Sequence, residues 1–193
     1  GADLLADRNI ALQLDLGQAG VDTNPLHISA AQAHTLIADG LTFVAHDNIV
    51  MNVDAGTTHL SNSLKDLEKL RVDAVALDPG ASLTLQLGDT DLHSAITGAL
   101  GDAGNAQLMT GFTGGGQVAL EMDADRFTAN LDNLGSGDAA ILQARGITDI
   151  NLTVADLDTL VDDAGNAVGA YNQVATGADL LADRNIALQL DLG

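Results

Sequence analysis

The chain has 193 residues and a formal net charge of −20, with 25 Asp and two Glu set against seven basic residues, and no cysteine. Phosphate recognition needs Lys and Arg, so this balance excludes a nucleic-acid partner, and no apolar run reaches the roughly twenty residues that membrane insertion requires. Without cysteine there is no disulfide, thiolate metal site or cysteine nucleophile, and with one Tyr, three Phe and no Trp the core must be aliphatic and thin, as between closely stacked layers.

Residues 1–17 read GADLLADRNIALQLDLG, and residues 177–193 repeat them without a mismatch, 176 residues further on. The phrase ends in an alternating strand pattern, Ile10, Leu12 and Leu14, followed by Asp15. The same phrase returns at Ile49–Met51–Val53 before Asp54, Leu83–Leu85–Leu87 before Asp89, and Val118–Leu120–Met122 before Asp123. It returns again at Ile150–Leu152–Val154 before Asp156, and at Ile186–Leu188–Leu190 before Asp191. Successive phrases start 39, 34, 35, 32 and 36 residues apart, so the long period holds five units of about 35 residues, a spacing typical of solenoids and arrays. The unit boundaries fall near 1–27, 28–56, 57–88, 89–124, 125–155 and 156–193, as one array.

Helical patterns follow the strand phrases. Residues 29–39 (SAAQAHTLIAD) stop at Gly40, a favourable helix end. In residues 59–70 (HLSNSLKDLEKL), Leu60, Leu64, Leu67 and Leu70 fall on one face. Residues 91–100, 138–145 and 156–164 read the same way. A shorter extended piece precedes each main strand at 41–45, 71–77, 111–113 and 146–148. Turn residues part the two at 46–48 (HDN), 78–81 (DPGA) and 114–116 (GGG). The simplest expectation is a hairpin per unit, giving an α/β repeat solenoid with one elongated sheet covered by helices on one face. The alternative is a β-helix with short helices, its two strands on different faces. Residues 101–111 and 164–177, the latter with Tyr171, read as insertions or broken helices.

ISAAQAHTLIADGLTFVAHDNIVMNV (28–53) resembles a helix-to-strand phrase, SxAQAxxLxxAGxxF, in the degenerate repeats of giant secreted bacterial surface proteins, the RTX-adhesin-like, type I secreted group. LKDLEKLRVDAV (64–75) is similar to the neighbouring phrase LxxLxxLGVD, with Arg71 where that phrase has Gly. The resemblance implies an extracellular, tandem-repeat, often calcium-dependent stalk or matrix protein, and it carries over no catalytic residue.

The candidate site is the aspartate column at the strand ends: Asp15, Asp54, Asp89, Asp123, Asp156 and Asp191, with Asp91, Asp125 and Asp158 two residues after three of them. Two readings stand. Clustered carboxylates with carbonyl oxygens suit Ca²⁺, which takes about six to eight oxygen ligands. Alternatively, each Asp caps the helix after it and favours its positive end. TGGGQ (113–117) lacks the Lys and following helix of a phosphate-binding loop and reads as a turn. His27, His34, His46, His59 and His93 form no zinc spacing. The expected function is structural and non-enzymatic: a stalk, matrix element, surface layer or filament at the bacterial cell surface. Its partners would be further copies of itself, joined in the chain or through free sheet edges. The alternative is a calcium-dependent adhesin or binding module that reaches polysaccharide through bridging cations.

Overall fold

The structure, a computed structural model, describes residues 12–15, 25–44, 47–60, 64–88, 90–98, 100, 111–129, 131–154 and 169–191. It is a mixed α/β fold with parallel sheets and, among the described residues, six α-helices. The elements in order are β1 (Leu12–Leu14), β2 (Leu26–Ser29), α1 (Ala30–Ala38), β3 (Leu41–Phe43), β4 (Ile49–Val53) and β5 (Gly56–Leu60). Next come α2 (Leu64–Leu70), β6 (Ala74–Leu77), β7 (Ala81–Gln86), α3 (Leu92–Thr97), β8 (Gly111–Gly114) and β9 (Gln117–Asp123). The chain continues with α4 (Ala124–Ala129), a 3-10 turn at Leu131–Asn133, α5 (Ser136–Ala144), β10 (Asp149–Thr153), α6 (Gly169–Ala182) and β11 (Ala187–Asp191).

Among the described residues three sheets form, with strand orders β1-β3, β2-β4-β6-β8 and β11-β10-β9-β7-β5, and every pairing is parallel. The expected hairpins are therefore absent: β3 and β4, β6 and β7, and β8 and β9 each part company into different sheets. The single elongated sheet built from hairpins is overturned with them. The short polar connections are corners instead. The corner at 78–80 stacks on the one between β4 and β5, with Asp78 N–H donating to Val53 O (2.9 Å) and Gly56 N–H to Gly80 O (3.3 Å). At the third corner Gly114 has φ +105°, and a Cβ there would run into Leu77 O, so only glycine fits. The six strand phrases also split among the three sheets. Alternation marks a half-buried strand but carries no information about which edge it joins.

Parallel register wins because it stacks like upon like. One apolar column runs Ile28, Met51, Val75, Phe112, and another Leu85, Leu120, Ile150, Leu188. Most of these side chains are buried in one continuous core of Leu, Ile, Val and Ala. All three Phe (Phe43, Phe112 and Phe127) sit inside it. Parallel neighbours need a crossover of about a dozen residues or more. Here the steps run from 23 residues (Leu26 to Ile49) to 38 (Asp149 to Ala187).

The helices start and stop for local reasons. Ser29 and Gln32 form a capping box on α1, with Gln32 N–H to Ser29 Oγ at 3.2 Å and Ser29 N–H to Gln32 Oε1 at 2.8 Å, which satisfies two otherwise orphaned donors. The stops share one motif. After α2, α5 and α6, a residue with positive φ (Arg71, Gly146 and Asn185) is followed by a buried apolar residue (Val72, Ile147 and Ile186). The latter donates its N–H back to Leu67 O, Leu142 O and Leu181 O respectively. This is the Schellman closure, and Gly40 (φ +68°) ends α1 at the same position.

Two helix boundaries differ from expectation. The helix at 59–70 is confined to Leu64–Leu70, because Gly56–Leu60 is strand β5 in register with Ala81–Leu85. The region read as an insertion at 164–177 contributes to α6, which begins at Gly169 and passes through the repeated GADLLA. Gly177 is where α6 crosses α4: a Cβ there would stand 2.6 Å from the Phe127 ring. The expected helix at 156–164 lies outside the described residues, as does nearly all of 101–111.

Candidate functional site

The strand-end aspartates among the described residues do not share one sheet. Asp15 follows β1, Asp54 follows β4, and Asp123 and Asp191 close β9 and β11, so they belong to three sheets. Asp123 and Asp191 share a sheet, but Thr153 stands in register between them. Two strand spacings of about 4.8 Å then separate their backbones. Asp89, Asp156 and Asp158 lie outside the described residues. Among the described residues no group of three or more His, Asp or Glu side chains is placed to hold a metal ion.

Two members of the set cap helices. Asp91 accepts from Ser94 N–H at 2.9 Å and from Ser94 Oγ–H at 2.7 Å, at the N-terminus of α3. These bonds, with His93 a lesser contributor, hold the Asp91 carboxyl below the usual range. Asp123 accepts from Arg126 N–H at 3.1 Å at the start of α4. Asp125 lies exposed in the first turn of α4, where a negative charge suits the helix dipole. Asp54 opens a corner into a strand, not a helix.

The carboxylates that the fold does bring together stand at strand starts. Asp47 is 4% exposed in the connection before β4. Asp73 precedes β6 and clamps Ile49 twice: its carboxylate accepts Ile49 N–H at 2.8 Å, and its own N–H donates to Ile49 O at 2.9 Å. Burial pushes the Asp73 carboxyl up, the Ile49 hydrogen bond pulls it partly back, and the Asp47 charge pushes it up again. Thr148 makes the same clamp one sheet over, accepting Val118 N–H on Oγ1 at 2.9 Å and donating its N–H to Val118 O at 2.9 Å. The signal was present in the sequence as a polar residue two places after the helix-stop residue, in Arg71-Val-Asp73 and Gly146-Ile-Thr148. It lies at the strand starts, whereas the candidate aspartates lie at the strand ends.

Two clefts flank these elements. One, of about 780 Å³, runs between the end of α1, β3 and α2 and collects both lysines of the chain, Lys65 and Lys69, with Arg71, Asp66 and Glu68. Lys69 pairs with Asp66 at 3.5 Å on the surface. The other, of about 590 Å³, is mainly apolar and lies along β1, β2, α1 and β3, lined by Leu14, Leu26, Ile28, Leu36 and Phe43 among others. Of the histidines, His27 meets Asn52 at 3.1 Å, and His93 on α3 stands 3.6 Å from Asp138 on α5. His46 and the side chain of His59 lie outside the described set. The glycines at 114–116 form the corner between β8 and β9. No protein-family model matches this chain, and neither a curated protein nor a solved structure matches it.

Proposed function

We propose that the chain is a structural segment of a large extracellular bacterial surface protein, in which such units stack as a solenoid to build a stalk, matrix element or filament. The observation that carries this reading is the in-register parallel pairing of successive units around one continuous apolar core, in a sequence whose first seventeen residues return after 176. Each unit buries its apolar face against the next, so stability is mainly a matter of nearest neighbours, and repetition lengthens the object without changing its chemistry. The resemblance of 28–53 and 64–75 to surface-protein repeats supports the extracellular location. So do the absence of cysteine and the charge of −20, which keeps such a chain soluble. The capping roles of Asp91 and Asp123 favour this scaffold reading over a calcium-dependent adhesin.

Chains of one, two and three periods test it by small-angle scattering. The maximum dimension should rise by a constant increment per period while the cross-sectional radius stays fixed. A cross-section that grows with each added period would sink the proposal.

A further inference from the structure

The repeated phrase appears twice in the structure, as β1 and as β11, and the two copies have different neighbours. β1 pairs with β3, Leu14 opposite Phe43. β11 pairs with β10, Leu190 opposite Leu152. In a strand, backbone groups of alternate residues point to opposite edges, so parity tells which edge is in use. Val44 N–H donates to Leu14 O at 3.0 Å, which places the Leu14 carbonyl on the β3 side. In β11 the bonds to the β10 side come from Ala187, whose N–H donates to Thr148 O at 2.9 Å, and from Asp191, whose carbonyl accepts Val154 N–H at 2.9 Å. Ala187 and Asp191 have odd parity and Leu190 even, and Leu190 is Leu14 one period on. The β3 ladder and the β10 ladder therefore use opposite edges of the same strand, and one copy of the strand can carry both at once.

A side chain records the same vacancy. Leu190 is 43% exposed, the one exposed large apolar side chain among the described residues. The identical Leu14 is half-buried and packed on the core, opposite Phe43 at 2% exposure. β11 also ends its sheet among the described residues.

We infer that the free edge of β11 is a joint for a second copy of this unit, whose β3 adds to it as β3 adds to β1 within the chain. The inference rests on the stacked-repeat reading and names the contact through which copies connect. In a longer chain, β11 of one period is β1 of the next. Between separate chains, β11 of one copy replaces β1 of its neighbour. The exchange forms the same β3 ladder from the same sequence, and it frees the displaced β1 from its ordered state. The donor strand arrives already held on β10 and α6. The contact is head-to-tail and leaves one joint open at each end, so it propagates from copy to copy.

The test uses the full chain. Leu14→Asp weakens the β1–β3 contact and leaves β11 intact. Sedimentation velocity should then show the weight-average mass at least about doubling as concentration rises, and adding Leu190→Asp should restore the monomer. A Leu14→Asp chain that stays folded and monomeric overturns the inference, as does association that ignores Leu190→Asp. Should Leu14→Asp fail to fold, Thr42→Cys with Gln189→Cys replaces it, since Gln13 stands opposite Thr42 within the chain and no native cysteine competes. Oxidation should give disulfide-linked chains longer than dimers, whereas each single variant stops at the dimer. Monomers alone would overturn the joint. Covalent multi-period chains that lengthen normally while free copies never join would refute this contact and leave the stacked-repeat reading standing.

Discussion

Two helix-to-strand joints, at residues 70–74 and 145–149, perform the same task with different residues. Each ends a helix on a left-handed residue, Arg71 (φ +65°) or Gly146 (φ +85°). Each then buries one apolar side chain, Val72 or Ile147, and clamps the start of the strand one unit back through Asp73 or Thr148. The backbone path and its hydrogen bonds are held constant while the side chains change. The difference lies in what each joint tolerates. Arg71 points a side chain into the cleft beside α2, whereas Gly146 is pressed against Phe112 O.

The largest effect should come from making the second joint resemble the first. Gly146→Ala puts a Cβ against Phe112 O at a backbone angle that L-residues resist. A left-handed residue alone costs about 1–2 kcal/mol, and the backbone contact adds to it. Urea denaturation should therefore show a loss of about 2–4 kcal/mol. A loss under half that would mean that the joint at 145–149 can shift and that the two joints tolerate a side chain alike.

Next come the clamps. Asp73→Ala leaves the Ile49 N–H without its side-chain acceptor, and Thr148→Val does the same to Val118 N–H. An orphaned donor of this kind costs about 1–3 kcal/mol. Both variants should lose stability, and hydrogen exchange should speed at Ile49 and Val118 respectively. Protection that persists at either amide would break the equivalence of the two clamps.

Much of these joints was legible beforehand, and the limits are physical. Gly40 and Gly146 announce helix ends because glycine alone enters the left-handed region without strain. Arg71 and Asn185 adopt the same conformation without announcing it. The apolar alternation at 49–53, 118–122 and 150–154 located β4, β9 and β10, since period two is fixed by the pleat. Which sheet each strand joined was not legible: Ile49 and Val118 carry the same pattern yet lie in different sheets. The aspartate column depends on the same unread pairing. The fold pairs Val53 with Leu77, which lies outside the phrases, and where the phrase in β9 meets the one in β10 the register is slipped by two, with Met122 opposite Leu152.

Acid should separate the joints further, because only the first uses a carboxylate, Asp73, as the clamp itself. Asp73 titrates above its ordinary value, so its contribution to stability is full below the unfolded pKa and is lost as pH rises through the folded one. Asp91 has the opposite sign: its capping contribution is present above the unfolded value and is lost as pH falls through its depressed folded one. Asp73→Asn keeps an acceptor for Ile49 N–H and removes the charge facing Asp47. Relative to the parent, it should gain stability at pH 7, with the gain shrinking to nothing near pH 4 and below. Taking the difference between variant and parent cancels the other carboxylates. A gain that is constant with pH would show that the charge at Asp73 costs nothing in the fold.

The smallest effect should come from making the first joint resemble the second. Arg71 holds φ +65° although it carries a Cβ, and its turn is otherwise complete, with Arg71 N–H to Glu68 O at 3.0 Å and Val72 N–H to Leu67 O at 3.1 Å. Arg71→Gly removes about 1–2 kcal/mol of left-handed strain and adds back about 0.4–1 kcal/mol of unfolded-state entropy. The net gain should be about 0.5–1 kcal/mol, read as a rise in the urea midpoint at unchanged slope. The variant also deletes one of three cations from the cleft of Lys65 and Lys69. Arg71→Lys, which keeps the charge and the strain, separates the two effects. If Arg71→Gly destabilises while Arg71→Lys does not, the side chain contributes more through the charge of that cleft than its backbone costs. The two joints would then differ in what their side chains do as well as in what they tolerate.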